Sequence, residues 1–209
     1  MYYNMYNYSY GYNTSYLRVL HASPDAPGVD VYLNNTLVAR NLTYKNFTEY
    51  MPLMPGRYNV KVFATGTMSN PVINSIINVM PDSDYTVAAT GFLDDIKPLV
   101  INDTSSMIPA NKAQLKFVHL SPDAPAVDVT LPNGKKLFRN ISFREVSDRI
   151  LVDPGKYTVQ VRVAGTDNVV LTVPNVMIKP NRYYTIYAVG TVKGEQPLQA
   201  LIALDKASY

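Results

Sequence analysis

Both imidazoles of this 209-residue chain sit in the same setting. His21-Ala-Ser-Pro-Asp-Ala-Pro-Gly-Val-Asp30-Val returns as His119-Leu-Ser-Pro-Asp-Ala-Pro-Ala-Val-Asp128-Val. One imidazole and two carboxylates at fixed spacing can hold a divalent cation. The candidate ligands are His21, Asp25 and Asp30, and in the second copy His119, Asp123 and Asp128. A Ser-His-Asp hydrolase would need Ser23 or Ser121 as nucleophile. Each lies two residues from its His and directly before Pro, with no strained elbow to present the Oγ. Catalysis is therefore not expected, no metal or cofactor is assigned, and the chain is read as a non-enzyme.

A structural reading of the same residues is the leading one. Ser-Pro-Asp-Ala-Pro is turn chemistry, in which Pro presets φ and Asp caps backbone amides. His21 lies in phase with Leu17 and Val19, and His119 with Leu115 and Phe117, so each imidazole points into a core. A buried imidazole needs a hydrogen-bond partner. The aspartate that opens the next strand, Asp30 or Asp128, is the expected one.

These residues belong to a tandem duplication. The offset between the His motifs is 98 and becomes 99 after an insertion near Asn133-Gly134. Pro55-Gly56-Arg57-Tyr58 then matches Pro154-Gly155-Lys156-Tyr157, and Gly66-Thr67 matches Gly165-Thr166. At the same offset Pro98-Leu99 aligns with Pro197-Leu198. The organisation read from this is a Tyr/Asn-rich tail over 1–16, a first repeat over 17–103, a linker over 104–111 and a second repeat over 112–209. Each repeat is long enough to fold alone.

Period-two alternation runs through both repeats: Val29, Val31 and Leu33; Tyr58, Val60 and Val62; Tyr157, Val159, Val161 and Val163. Asn34-Asn35 and Pro132-Asn133-Gly134 are hairpin-turn chemistry. No helical period extends beyond two turns. The expectation is an all-β chain of two tandem antiparallel β-sandwich domains of Ig-like or Greek-key type, about seven strands each.

Composition narrows the function classes. The chain has no cysteine, which removes disulfide scaffolds, thiolate metal sites and a cysteine nucleophile. A net charge of +3 is too weak to propose nucleic acid. Residues 17–103 hold six Lys/Arg against eight Asp/Glu, net −2, and residues 104–209 hold thirteen against eight, net +5. Lys135, Lys136, Arg139, Arg144 and Arg149 read as a solvated, basic sheet edge. Asp94-Asp95 has no acidic counterpart in the second repeat. No uncharged apolar window is long enough for a transmembrane helix. Met1 to Tyr16 carries neither a basic n-region nor an apolar h-region, so Sec export is not expected. Its alternating Tyr and polar residues favour self-association. Tyr2, Tyr3, Tyr6, Tyr8, Tyr10, Tyr12 and Tyr16 are the candidate assembly residues, and the expected partners are other copies or other coat and envelope proteins.

The Val-Leu-His-Ala-Ser-Pro-Asp-Ala-Pro-Gly-Val-Asp-Val-Tyr string, with Pro-Gly-x-Tyr-x-Val and Gly-Thr after it, resembles the DUF4397 family from Leu17 to Ala203. That resemblance implies a bacterial domain often found in tandem in exported or cell-surface proteins, and it supplies no catalytic residues. The Tyr/Asn-rich leader, with no cysteine in the chain, is similar in composition to spore-coat proteins of endospore-forming bacteria. Together they imply a structural protein of the spore coat or cell surface. The alternative is a module that binds glycan, peptide or a divalent metal.

Overall fold

The computed structural model describes residues 14–209. Tyr2, Tyr3, Tyr6, Tyr8, Tyr10 and Tyr12 lie outside the described residues; Tyr16 lies inside them, in the first strand. The first domain contains β1 (Ser15–Ala22), β2 (Val29–Leu33), β3 (Thr36–Leu42), β4 (Met51–Leu53), β5 (Gly56–Ala64), β6 (Ile73–Val79), β7 (Asp84–Thr90) and β8 (Lys97–Asn102). The second contains β9 (Ala113–His119), β10 (Val127–Thr130), β11 (Lys136–Ile141), β12 (Ile150–Val152), β13 (Gly155–Val163), β14 (Val169–Ile178), β15 (Tyr183–Val189) and β16 (Gln199–Leu204).

Each domain is a sandwich of two four-stranded sheets. The orders are β4-β1-β7-β8 over β3-β2-β5-β6, and β12-β9-β15-β16 over β11-β10-β13-β14. The alternating residues meet between the sheets: Leu17, Val19, Val31, Val62 and Val87 in the first core, Leu115, Phe117, Val129, Val161 and Ile186 in the second. Asn34 and Asn35 both take positive φ, 47° and 69°, which gives the two-residue turn the twist that the β2–β3 hairpin requires.

Three details depart from the sequence expectation. Each domain has eight strands rather than seven. The extra one, β4 or β12, is three residues long, and Pro52 interrupts β4, so neither carries a readable period. The sheets are not wholly antiparallel either. β1 runs parallel to β7 and β9 parallel to β15, because the partners are joined by a crossover through the other sheet, not by a hairpin. Finally, Ala89 pairs with Pro98 while its counterpart Ala188 pairs with Ala200. Pro98 therefore corresponds to Ala200 and not to Pro197, because the β15–β16 loop holds three more residues than the β7–β8 loop.

The decisive feature is that β1, β7, β9 and β15 are buried on both faces. Leu20, Ala22, Ala88 and Ile101 of the first domain pack against Val118, Leu120, Tyr187 and Val189 of the second, all of them fully buried. The two sandwiches therefore share a seam of packed sheet faces.

Candidate functional site

The His-x-Ser-Pro-Asp loops resolve into hydrogen bonds to the backbone. His21 is fully buried, and its Nε2–H donates to the Pro27 carbonyl at 2.9 Å while Nδ1 accepts the Ser23 N–H at 3.4 Å. His119 repeats this with Pro125 at 3.1 Å and Ser121 at 3.3 Å. The imidazole thus ties the end of β1 or β9 to the far side of its own Pro-flanked loop. Burial holds both imidazoles below their usual pKa, so they stay neutral. The expected His–Asp pairing does not form. The carbonyl before Gly28 or Ala126 comes closer, and it suits a neutral ring.

The aspartates are committed elsewhere. Asp30 accepts the N–H of Asn41 at 2.8 Å and of Gly66 at 3.0 Å, and those bonds hold its carboxyl below the usual range. Asn41 has φ 49°, so Asp30 braces a left-handed residue at the β2–β3 bulge. Asp128 binds the N–H of Asn140 and Gly165 in the same way and adds Lys136 Nζ at 2.6 Å. Burial would raise Asp128, but the Lys136 ammonium and the two N–H donors outweigh it and its pKa is lowered. Asp25 accepts the Leu93 N–H, and Asp123 those of Val192 and Lys193, each reaching to the loop before the last strand. Among the described residues no three His, Asp or Glu side chains converge as metal ligands. The structure brings each of the six candidates to a separate backbone target.

The convergence of charge lies in the seam. Arg18 and Lys116 are equivalent residues of β1 and β9 on the faces that meet, and Asp103 and Asp205 are the equivalent residues just past β8 and β16. All four are buried. Lys116 Nζ bonds Asp103 and lies 3.4 Å from Asp205. An Arg18 terminal nitrogen lies 3.5 Å from Asp205 and 4.0 Å from Asp103. Two cations thus face two carboxylates. Neutral groups complete the cluster: Thr86 bonds Asp103, Thr185 donates to Asp205 at 2.7 Å, and Tyr50 donates to Asp103 at 2.7 Å. The Arg18 guanidinium lies over the rings of Phe47 and Tyr50, 4.8 and 4.5 Å from their centroids, and reaches the Leu204 carbonyl of the other domain at 2.8 Å. Burial, then the Asp103 charge, push the Asp205 carboxyl above its usual pKa. Burial also pushes the Tyr50 and Tyr187 hydroxyls far up.

The basic edge read from the sequence is not one patch. Arg144 crosses the seam to Asp95 at 3.2 Å and to the Thr90 carbonyl at 3.0 Å. Arg149 crosses to the Asn102 carbonyl at 2.8 Å. Lys136 closes on Asp128 of its own domain. Asp95, from the acidic run without a counterpart in the second repeat, thus has Arg144 of the other domain as a partner beside Lys97 of its own.

Two clefts open along the junction. One, of about 140 Å³, is lined by Pro24, Asp25, Phe92, Thr191 and Glu195. The larger, of about 380 Å³, runs between the Phe47–Tyr50 segment and β16, with Arg18, Phe47, Glu49, Tyr50, Ile202 and Tyr209 on its walls.

The molecule is a fused pair of tandem β-sandwiches with two cations and two carboxylates buried between them. The chain belongs to the DUF4397 family, described as a domain of unknown function, whose pattern matches residues 15–130 and 131–208. No curated protein matches the chain. Among solved structures it is similar to the Bacillus anthracis TIE protein at 12% identity and a TM-score of 0.28, covering 92% of this chain and 44% of that one. The chain thus spans under half the length of that protein. It is also similar to CBMbc, a family CBM26 module of Eubacterium rectale Amy13K solved in complex with maltoheptaose, at 7% identity and a TM-score of 0.27, covering 94% of this chain and 100% of that one. A third similarity is to a putative cell adhesion protein from Bacteroides ovatus at 11% identity and a TM-score of 0.26, covering 93% and 97%. Likenesses at these scores carry nothing about function. No helix among the described residues is long and apolar enough to cross a membrane.

Proposed function

We propose that the protein is a non-enzymatic building block of a bacterial surface layer, the spore coat in particular. The fused sandwich pair is the module, and the Tyr/Asn-rich N-terminal segment makes contacts to other copies or to other coat proteins. The observation that carries this reading is the seam. The polar side chains repeated in both domains hold backbone in place, and the charged ones join the domains into one body. A part that transmits load or fixes spacing in a layer needs that kind of economy. The test is fractionation of the native host through growth and sporulation. Recovery in a detergent-insoluble spore or envelope layer supports the reading, and recovery as a freely soluble protein overturns it.

The cleft beside β16 favours a second reading, a ligand-binding module, because aromatic walls at a domain junction are a common setting for ligands. That reading requires a saturable gain in thermal stability with a glycan, peptide or divalent cation.

A further inference from the structure

We infer that the outer edge of β16 accepts a strand from a second copy of this chain, supplied by residues 1–13. The inference rests on the reading of that segment as the assembly element, and it names the surface that receives it.

The edge is the first argument. β8 and β16 are equivalent edge strands beside the seam. The Asp205 N–H bonds the Tyr183 carbonyl, which fixes the phase of the β15–β16 ladder. Leu201 and Ala203 turn their backbone groups toward β15, and Ala200, Ile202 and Leu204 turn theirs outward. The Leu204 carbonyl is taken by Arg18. Ala200 and Ile202 offer N–H and C=O groups with no partner strand among the described residues. On β8 the position equivalent to Ala200 is Pro98, which has no N–H, and the Asn102 carbonyl is covered by Lys116 and Arg149. Proline at an edge blocks strand addition. One edge of the pair is blunted and the other is not.

The occupant is the second argument. Tyr6-Asn7-Tyr8-Ser9-Tyr10-Gly11-Tyr12 alternates strictly over seven residues. As a strand it puts four rings on one face and small polar residues on the other. Tyrosine favours strands. The cleft along β16 is walled by Phe47, Tyr50 and Tyr209, with Ile202 standing 40% exposed in it. Residues 1–13 carry no charged side chain, which suits a cleft whose Arg18 is already balanced by Asp103 and Asp205.

Direction selects a neighbouring copy. Lys206 Nζ lies over the Tyr16 ring at 4.3 Å and Arg18 meets Leu204, so β1 runs opposite to β16 along the cleft. β1 opens at Ser15, beside the end of the cleft where Tyr16 meets Lys206, and runs along the cleft from there. A return into its own cleft needs a reversal, and entry into a neighbour's needs none. Thirteen extended residues reach about 43 Å, enough to pair with the six residues of β16 and still bridge two copies.

Sedimentation velocity of the full chain, of residues 14–209 and of full-length Ala200→Pro tests this. Ala200→Pro gives β16 the blunted edge of β8 without touching the β15 ladder. The full chain should associate and residues 14–209 should be monomeric. Ala200→Pro should weaken association by up to about tenfold, the effect of losing one edge hydrogen bond. A fluorescently labelled peptide of residues 1–13 should bind residues 14–209 about tenfold more tightly than it binds the same fragment carrying Ala200→Pro. If Ala200→Pro loses the β circular-dichroism signal, Tyr8→Ser/Tyr10→Ser in the full chain decides: weakened association supports the inference and unchanged association overturns it. Wild-type association by a folded Ala200→Pro protein overturns the edge and leaves the assembly reading standing. Peptide binding with a monomeric full chain places the segment in its own cleft and overturns the second copy. A full chain and a 14–209 fragment that are both monomeric overturn the inference and the assembly reading together.

Discussion

The Ser-Pro-Asp loops and the seam both bury polar side chains, but the partners differ in kind. In the loops the partners are mostly backbone groups, and all of them belong to the same domain, in an arrangement that recurs almost unchanged in the second copy. His21 reaches six residues along the chain and His119 does the same. In the seam charged side chains of each domain meet carboxylates and carbonyls of the other, with hydrogen-bonded groups up to 186 residues apart. The duplication supplied equivalent residues there, Arg18 with Lys116 and Asp103 with Asp205, and the cation of each domain meets the carboxylate of the other. A residue that serves its own turn is needed in each copy separately. A residue that serves the junction works only when both copies are present.

The largest break in that comparison is Asp103→Ala. It leaves Lys116 and Arg18 buried with one carboxylate between them, and uncompensated buried charge costs about 3–5 kcal/mol. The expected result is a large fall in the urea midpoint, together with new proteolytic cleavage between residues 103 and 112. His21→Ala and His119→Ala should each cost about 2–3 kcal/mol, from a lost buried hydrogen bond plus a cavity. Their thermal melts should fall by similar amounts, because the two loops are copies. Asp30→Ala, which leaves the Asn41 and Gly66 N–H groups without acceptors, should cost about 1–2 kcal/mol by urea denaturation.

The smallest expected effect is on pH dependence. Both imidazoles have lowered folded values, so on acidification the unfolded chain takes up their protons first. Their contribution is complete above about pH 6.5 and is lost as pH falls below it toward the folded values. Asp30 and Asp128, also lowered, lose theirs only below about pH 4. Asp205, raised, runs the other way and offsets part of the loss as pH falls through its folded value. Urea midpoints at pH 7.5 and 5.5 should differ in the wild type and differ less in His21→Gln/His119→Gln.

The sequence made the sandwiches legible because Val29, Val31 and Leu33 alternate and Asn34-Asn35 can only turn. It made the His loops legible as structure because two copies of Ser-Pro-Asp-Ala-Pro carry their own turn chemistry. It did not give the partner of His21, since a carbonyl is available at every residue and only the folded loop selects Pro27. The register after Gly91 and Gly190 slipped because Pro98 and Pro197 align by type while the ladder pairs Ala89 with Pro98 and Ala188 with Ala200. The seam was the deepest omission. Its signal was present: Leu20 and Ala22, like Val118 and Leu120, are apolar on the strand face that a lone sandwich would show to water. Arg18 and Lys116 are charges set inside those runs. Which distant carboxylates would meet them depends on how two domains dock, and spacing along one chain does not encode that.

Differential scanning calorimetry of residues 14–209 tests the fused pair most directly. A seam that buries both sheet faces and two ion pairs makes the domains unfold together, so one transition is expected, with calorimetric and van't Hoff enthalpies equal. Two separable transitions would contradict it, and the sandwiches would then be two modules on one chain.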